Sequence, residues 1–214
     1  MAAAFVDIAQ TCAPMIQVEM LASVVSLESK FLPFAIRIDS GSPLIQPASK
    51  AEAIELATSL ITEHQDIQLG LGSLGVEELR KLKLSVSDAF DPCQNLKATA
   101  TLLDGYYRLA LRLGADPAQA EKVMLQSYYG RNDPSVGAMV KYDEQVRRQA
   151  KRLSSKLASI TIAGPDDQAA PVDDPRDQVE QPIPRQHPKT EESASWDVFT
   201  SRRRSWVLVF QNND

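Results

Sequence analysis

Histidine and cysteine are scarce here, with only two of each in 214 residues. His64 and His187 stand alone, and neither Cys12 nor Cys93 has a histidine beside it. The spaced ligand pairs of a zinc site are therefore missing, and neither a metal nor a cofactor is expected. No apolar run approaches the roughly 20 residues that span a bilayer, so no transmembrane segment is expected. Basic residues are outnumbered, 23 against 28 acidic ones for a net charge of -5. A general nucleic-acid binder needs the opposite balance. No internal repeat is present. The first ten residues lack a basic run and Asp7 interrupts their apolar stretch, so they do not read as a signal peptide. A cytoplasmic protein, another export route, and a misplaced or processed start all remain open.

What is present describes an ordinary globular protein, with 43% hydrophobic and 24% charged residues. The length suits one core of fair size plus an appendage. Val18, Leu21, Val24 and Val25 recur at helical spacing and predict a first amphipathic helix ending near Glu28, stopped by Pro33. Residues 35–48, with Gly41, Pro43 and Pro47, predict a loop or a short irregular strand. Ser49 and Glu52 form a capping-box signature for a helix reaching His64. A short extended piece with glycines follows over residues 66–75, then brief helical stretches over 76–81 and 87–90. The clearest helix covers 94–113, with Leu96, Ala100, Leu103, Tyr107 and Ala110 on one face and Gly114 as its left-handed stop. Asp116 and Pro117 open another, reaching Tyr129. A last helix is expected from Pro134 through Met139, Tyr142 and Val146 to about Ile160.

Composition then changes. Residues 161–195 are rich in Pro, Asp, Gln and Glu and are expected to be a disordered acidic linker. Residues 196–214 carry both tryptophans, Arg202, Arg203 and Arg204, and Val207 to Phe210. That alternation of aromatic, β-branched and basic residues suits docking onto a partner's sheet edge, and equally suits a merely sticky end.

Glu28 is the residue with most chemical potential. Its neighbours are Val24, Val25, Leu27, Phe31, Leu32 and Phe34, and burial among them would raise its pKa toward neutrality. A solvated glutamate at a helix end is the plainer reading of the residue alone. Its company changes this. Glu28-Ser29 followed by Phe31, Pro33 and Phe34 comes first, then Gly70-Leu71-Gly72-Ser73-Leu74, then Gln126-Ser127-Tyr128-Tyr129-Gly130. Residues 88–96 lead into the long helix in between. In this order the segments resemble the lysozyme-like, soluble lytic transglycosylase domain, and most closely the transglycosylases of type IV secretion and conjugation systems.

The resemblance covers roughly residues 5–150 and implies a mainly α, α+β lysozyme-like domain over residues 1–160 with a small glycine-rich β element. It implies peptidoglycan glycan strands as substrate, a periplasmic place of work, and a tail that engages other secretion components. Glu28 would be the catalytic acid and base. Ser29, Gly70, Leu71, Gly72, Ser73 and Tyr128 would bind substrate. Ser73 stands where the family has glutamine, Tyr129 where it has asparagine, and Lys30 where a glycine is common.

The glycines would let a sugar approach the backbone, or simply form a turn. Ser29 would orient Glu28 or bond locally. Tyr128 would reach the glutamate or the sugar, or pack in the core. Cys12 and Cys93 allow one bridge or two buried thiols, and the resemblance favours the bridge. A hydrolase using water would need a second carboxylate; Asp39, Asp66 and Asp88 are candidates, each in a context where capping or solvation also explains it. A scaffold with a degenerate cleft is the reading outside enzymes.

Overall fold

A computed structural model describes residues 3–38 and 43–162. The expected linker, the docking tail and Asp39 lie outside these residues, apart from the linker's first two positions.

The fold is mainly helical, as the periodicity predicted. Its elements in chain order are β1 (Ala3–Ala4), α1 (Phe5–Cys12), α2 (Val18–Ser29), β2 (Ile36–Ile38), α3 (Lys50–Thr62), β3 (Ile67–Leu69) and β4 (Leu74–Gly75). There follow α4 (Val76–Leu82), α5 (Val86–Ala89), α6 (Pro92–Arg112), α7 (Pro117–Tyr129), α8 (Pro134–Met139), α9 (Tyr142–Leu153) and β5 (Thr161–Ile162).

Local chemistry sets most boundaries. Ser49 caps α3 by accepting from the Glu52 amide, while Glu52 reaches past it to accept from the Ala48 amide at 2.8 Å. Asp91 and Asp116 cap α6 and α7, each followed by proline at the first helical position. Gly114, at φ +93°, turns the chain after α6, a conformation that glycine adopts without a side-chain clash.

Three expectations need correction. The helix at Val18 is the second, because α1 precedes it and buries Phe5 and Ala9. Pro33 does not end α2: Lys30 and Phe31, at φ 54° and 63°, turn the chain first. The final helix is broken. Lys141 adopts φ 53°, separating α8 from α9, and α9 ends at Leu153. Pressed against α7, Gly137 of α8 leaves no room for a Cβ beside the Gln126 backbone. The left-handed residue then redirects the chain so that Tyr142 and Asp143 enter the interior.

Two apolar groups make up the interior. One joins α1, α2, α6, α7 and α9 through Phe5, Leu21, Val25, Leu96, Leu103, Leu125 and Val146. The other joins α3 to the small sheet through Phe34, Ile36, Ala57, Ile67, Leu69 and Phe90. Helix α6 serves both, giving Leu96 and Leu103 to the first and Ala98 to the second.

The sheet is antiparallel in the order β2-β3-β4. Its register sets Ile36 opposite Leu69, and Leu69 opposite Leu74. The alternate positions pair Arg37 with Gln68 and Gln68 with Gly75. Side chains alternate across a strand, so the apolar row feeds the core and the row Arg37, Gln68, Gly75 faces the other way. That second row borders the cleft described next. Strands β1 and β5, two residues each, pair Ala3 with Ile162 and Ala4 with Thr161, joining the two ends of the described residues.

Cys12 and Cys93 are joined in a disulfide across a sequence separation of 81. It ties the end of α1 to the start of α6.

Candidate functional site

A cleft of about 280 Å³ opens where the end of α2, the sheet and the segment between α7 and α9 meet. Glu28 lies in its wall, only 7% exposed. The interior side of the carboxyl meets α9: the Tyr142 hydroxyl donates to Glu28 Oε1 at 2.5 Å. Burial pushes the Glu28 pKa above the ordinary carboxylate value. Tyr142, Arg37, Ser73 and Arg131 oppose the rise without cancelling it.

The backbone of Glu28 is held as firmly as its side chain. Its carbonyl oxygen accepts from Arg37 Nη2 at 2.7 Å and from the Ser73 hydroxyl at 3.2 Å. A strand and a turn thus fix the last turn of α2 from outside. The two tyrosines stay protonated donors. Burial, then the Glu28 charge, raises the phenol pKa of both Tyr142 and Tyr128. Tyr129 packs against Tyr142 with ring centroids 4.9 Å apart.

The turn over residues 70–73 forms the wall behind Glu28. Gly70, at φ +73°, makes the left-handed entry that a side chain would strain. Gly72 is packed against Thr99 and Tyr128, and a Cβ there would collide with the Thr99 hydroxyl. Asn95 locks this turn from α6. Its Oδ1 accepts from the Gly72 amide at 2.8 Å, and its Nδ2 donates to the carbonyls of Leu69 at 3.1 Å and Ala89 at 2.8 Å.

The residues singled out in the sequence separate into two sets. Glu28, Ser73 and Tyr128 line the cleft. Ser29, Gly70, Leu71 and Gly72 lie behind it. Ser29 is fully buried and donates to the carbonyls of Val25 and Leu71, fastening α2 to the turn. Tyr128 donates to the Gly72 carbonyl, not to Glu28. Tyr129, at the expected asparagine position, also borders the cleft.

Of the candidate second carboxylates, Asp66 lines the cleft and pairs with Arg131 at 2.8 Å. Asp88 caps α5 together with Ser85, away from the cleft. Sequence reasoning missed Tyr142, Arg37, Asn95, Glu78 and Arg131. The signal for Asn95 was present in the segment leading into α6, but nothing local marked its three buried bonds. No group of three or more metal-ligating side chains occurs among the described residues.

The chain has relatives among known proteins. A type IV secretion system protein virB1 from Brucella suis biovar 1 is 34% identical over 129 residues, 60% of this chain and 54% of the relative. Protein virB1 of Agrobacterium fabrum is 25% identical over 205 residues, 94% of this chain and 73% of the relative. Both of these homologues are named VirB1. The chain spans about half the length of the Brucella VirB1 relatives it matches. Alignment with the Agrobacterium VirB1 extends well past residues 5–150, to which the motifs belong. No family model matches the chain. No solved structure matches it either.

Proposed function

We propose that this protein is a lytic transglycosylase working with a type IV secretion apparatus. It cleaves the β-1,4 bond between N-acetylmuramic acid and N-acetylglucosamine in peptidoglycan. The single observation that carries the reading is Glu28, a buried carboxyl in a cleft wall with one oxygen bonded to Tyr142 and its pKa raised.

The chemistry needs an acid that stays protonated near neutral pH. With Oε1 engaged by Tyr142, Oε2 carries the proton. As the bond from muramic acid C1 to the glycosidic oxygen breaks, Glu28 passes its proton to that oxygen and N-acetylglucosamine leaves. Glu28, now ionised, takes the proton from the muramic acid C6 hydroxyl. O6 closes on C1, giving the 1,6-anhydro ring and returning Glu28 to its protonated form. No water is consumed, and one carboxylate performs both transfers. A hydrolytic glycosidase would divide these tasks between two carboxylates across the bond.

A further feature supports the reading. A Cys12–Cys93 disulfide suits an oxidising compartment such as the periplasm. Among the described residues, no helix is long and apolar enough to cross a membrane. The VirB1 kinship supports a place in a type IV secretion system, and opening murein locally while that machinery assembles is the task this reading gives it. Residues 196–214 are proposed to engage other components of that machinery.

The test is mass spectrometry of soluble fragments released from purified peptidoglycan by the wild type and by Glu28→Gln. Fragments ending in 1,6-anhydromuramic acid are expected from the wild type and not from the variant. Reducing ends made with water would replace the transglycosylase by a muramidase. No fragments from a correctly folded wild type would leave a non-catalytic assembly factor.

A further inference from the structure

Three cleft-lining residues carry a buried polar atom without a hydrogen-bond partner among the described residues, Arg37 Nε, Glu78 Oε2 and Arg131 Nη2, and the last two lie together. Both residues line the cleft, and neither takes part in the proton transfers above. Glu78 belongs to the first turn of α4 and is 7% exposed. Arg131 follows α7 in a left-handed conformation, φ 50°. They converge on Gly75: a Cβ placed there would overlap Glu78 Oε2 and lie 3.3 Å from Arg131 Cζ. Arg131 Nη1 donates to Asp66 Oδ1 at 2.8 Å, which steadies the guanidinium. Tyr106 approaches from α6, and its hydroxyl pKa is raised by burial and then by the Glu78 charge.

Burying a carboxylate oxygen and a guanidinium N–H without partners destabilises a fold, because each loses its water and gains nothing in return. Among the described residues no hydrogen bond offsets that loss. A ligand with one donor and one acceptor a bond or two apart would offset both losses at once. An acetamido group has that pattern, with its N–H toward a carboxylate and its carbonyl toward a guanidinium.

We propose that Glu78 and Arg131 form a subsite, flanking Gly75, that reads the acetamido group of a sugar in the cleft. Glu78 Oε2 accepts from the amide N–H, and Arg131 Nη2 donates to the amide carbonyl. The subsite rests on the glycan-cleaving reading above, and it makes the cleft selective for 2-acetamido sugars over sugars with a plain 2-hydroxyl.

Calorimetric titration of the full chain carrying Glu28→Gln tests this, with an N-acetylglucosamine tetramer and cellotetraose as probes. The acetamido tetramer is expected to bind more tightly than cellotetraose. Adding Glu78→Gln, or Glu78→Met in a parallel variant, should weaken the acetamido tetramer about tenfold or more, the scale of a hydrogen bond to a charged group. Cellotetraose affinity should stay put, and the melting temperature should hold or rise, because no internal bond is lost.

Equal loss of both probes, unchanged affinity for the acetamido tetramer, or a melting temperature several degrees lower in both Glu78 variants would overturn the subsite. The last outcome would mean that Glu78 serves the fold by pairing with Arg131. Binding of neither probe, while the wild type still releases anhydro fragments, would also overturn it. Absence of anhydro fragments would count against the transglycosylase reading instead.

Discussion

Tyr142 and Glu28, 114 positions apart, meet in a hydrogen bond inside the protein, with hydroxyl and carboxyl oxygen 2.5 Å apart. The bond joins the end of α2 to the first residue of α9. It exists because the chain breaks its helix at Lys141 and re-enters with Tyr142 pointing inward.

Replacing Tyr142 with phenylalanine keeps the ring and its packing on Tyr129 and deletes only the hydroxyl. The bond favours the ionised carboxyl, so its loss lets the Glu28 pKa rise further. The proton donor then survives to higher pH, and the alkaline limb of the pH-rate profile moves up. The maximum rate is expected to fall on the order of tenfold to a hundredfold, because the carboxyl is no longer aimed. A profile of anhydro-fragment release against pH reads both effects. An alkaline limb that moves down would sink this account of the pair.

Stability should depend on pH through the same group. The Glu28 pKa is raised in the folded state above an ordinary value of 4.5. Below about that pH the carboxyl is neutral folded or unfolded, and it makes no difference. Between the two pKa values the unfolded chain ionises first, so unfolding becomes easier as pH rises. The loss is complete above the folded value. Glu28→Gln has no such titration, and its melting temperature should gain on the wild type from weakly acidic toward neutral pH. Melting curves at several pH values check it, and a gap that narrows with rising pH would contradict the assignment.

How much of this was legible beforehand differs by residue, for physical reasons. Glu28 stood out because an ionisable group among apolar neighbours is a local pattern. Asp116-Pro117 and Ser49 with Glu52 were readable because capping is settled within one turn of chain. Tyr142 was not readable as a functional residue: an aromatic at helical spacing looks like core, and its partner is 114 residues away. The break at Lys141 left no mark either, since lysine is a good helix former and packing overrode its preference. Glu78 looked like an ordinary acid in a first helical turn. Only the sheet register, which lines up Arg37, Gln68 and Gly75, shows that this stretch borders the cleft.

The disulfide carries a separate expectation. Cross-linking positions 81 residues apart restricts the unfolded chain, which in the chain-entropy model stabilises the fold by roughly 4 kcal/mol. The double variant Cys12→Ser with Cys93→Ser should therefore melt lower by on the order of 10 °C. The wild type under reducing conditions should behave alike. Differential scanning calorimetry with and without a thiol reductant measures this directly. Equal melting temperatures in the two conditions would show that the bridge adds nothing to the fold.

Asn95 offers the sharpest separation of scaffold from chemistry. It is 1% exposed, lies outside the cleft lining, and makes three hydrogen bonds to the backbone around the turn. Asn95→Ala leaves the Gly72 amide and two buried carbonyls without that partner, and it should cost about 2–4 kcal/mol, since each orphaned group loses its solvation unrepaid. Asn95→Asp keeps an acceptor for Gly72 but sets a carboxylate oxygen against the carbonyls of Leu69 and Ala89. It should destabilise at least as much at neutral pH, and recover in part at acid pH, where the protonated carboxyl can donate to one of them. Urea denaturation of both variants near pH 4 and pH 7 distinguishes these cases. The turn carries Ser73, which holds the Glu28 carbonyl, so activity should fall even where the fold persists. A variant that unfolds more easily yet cleaves peptidoglycan at the wild-type rate would show that the turn does not position Glu28.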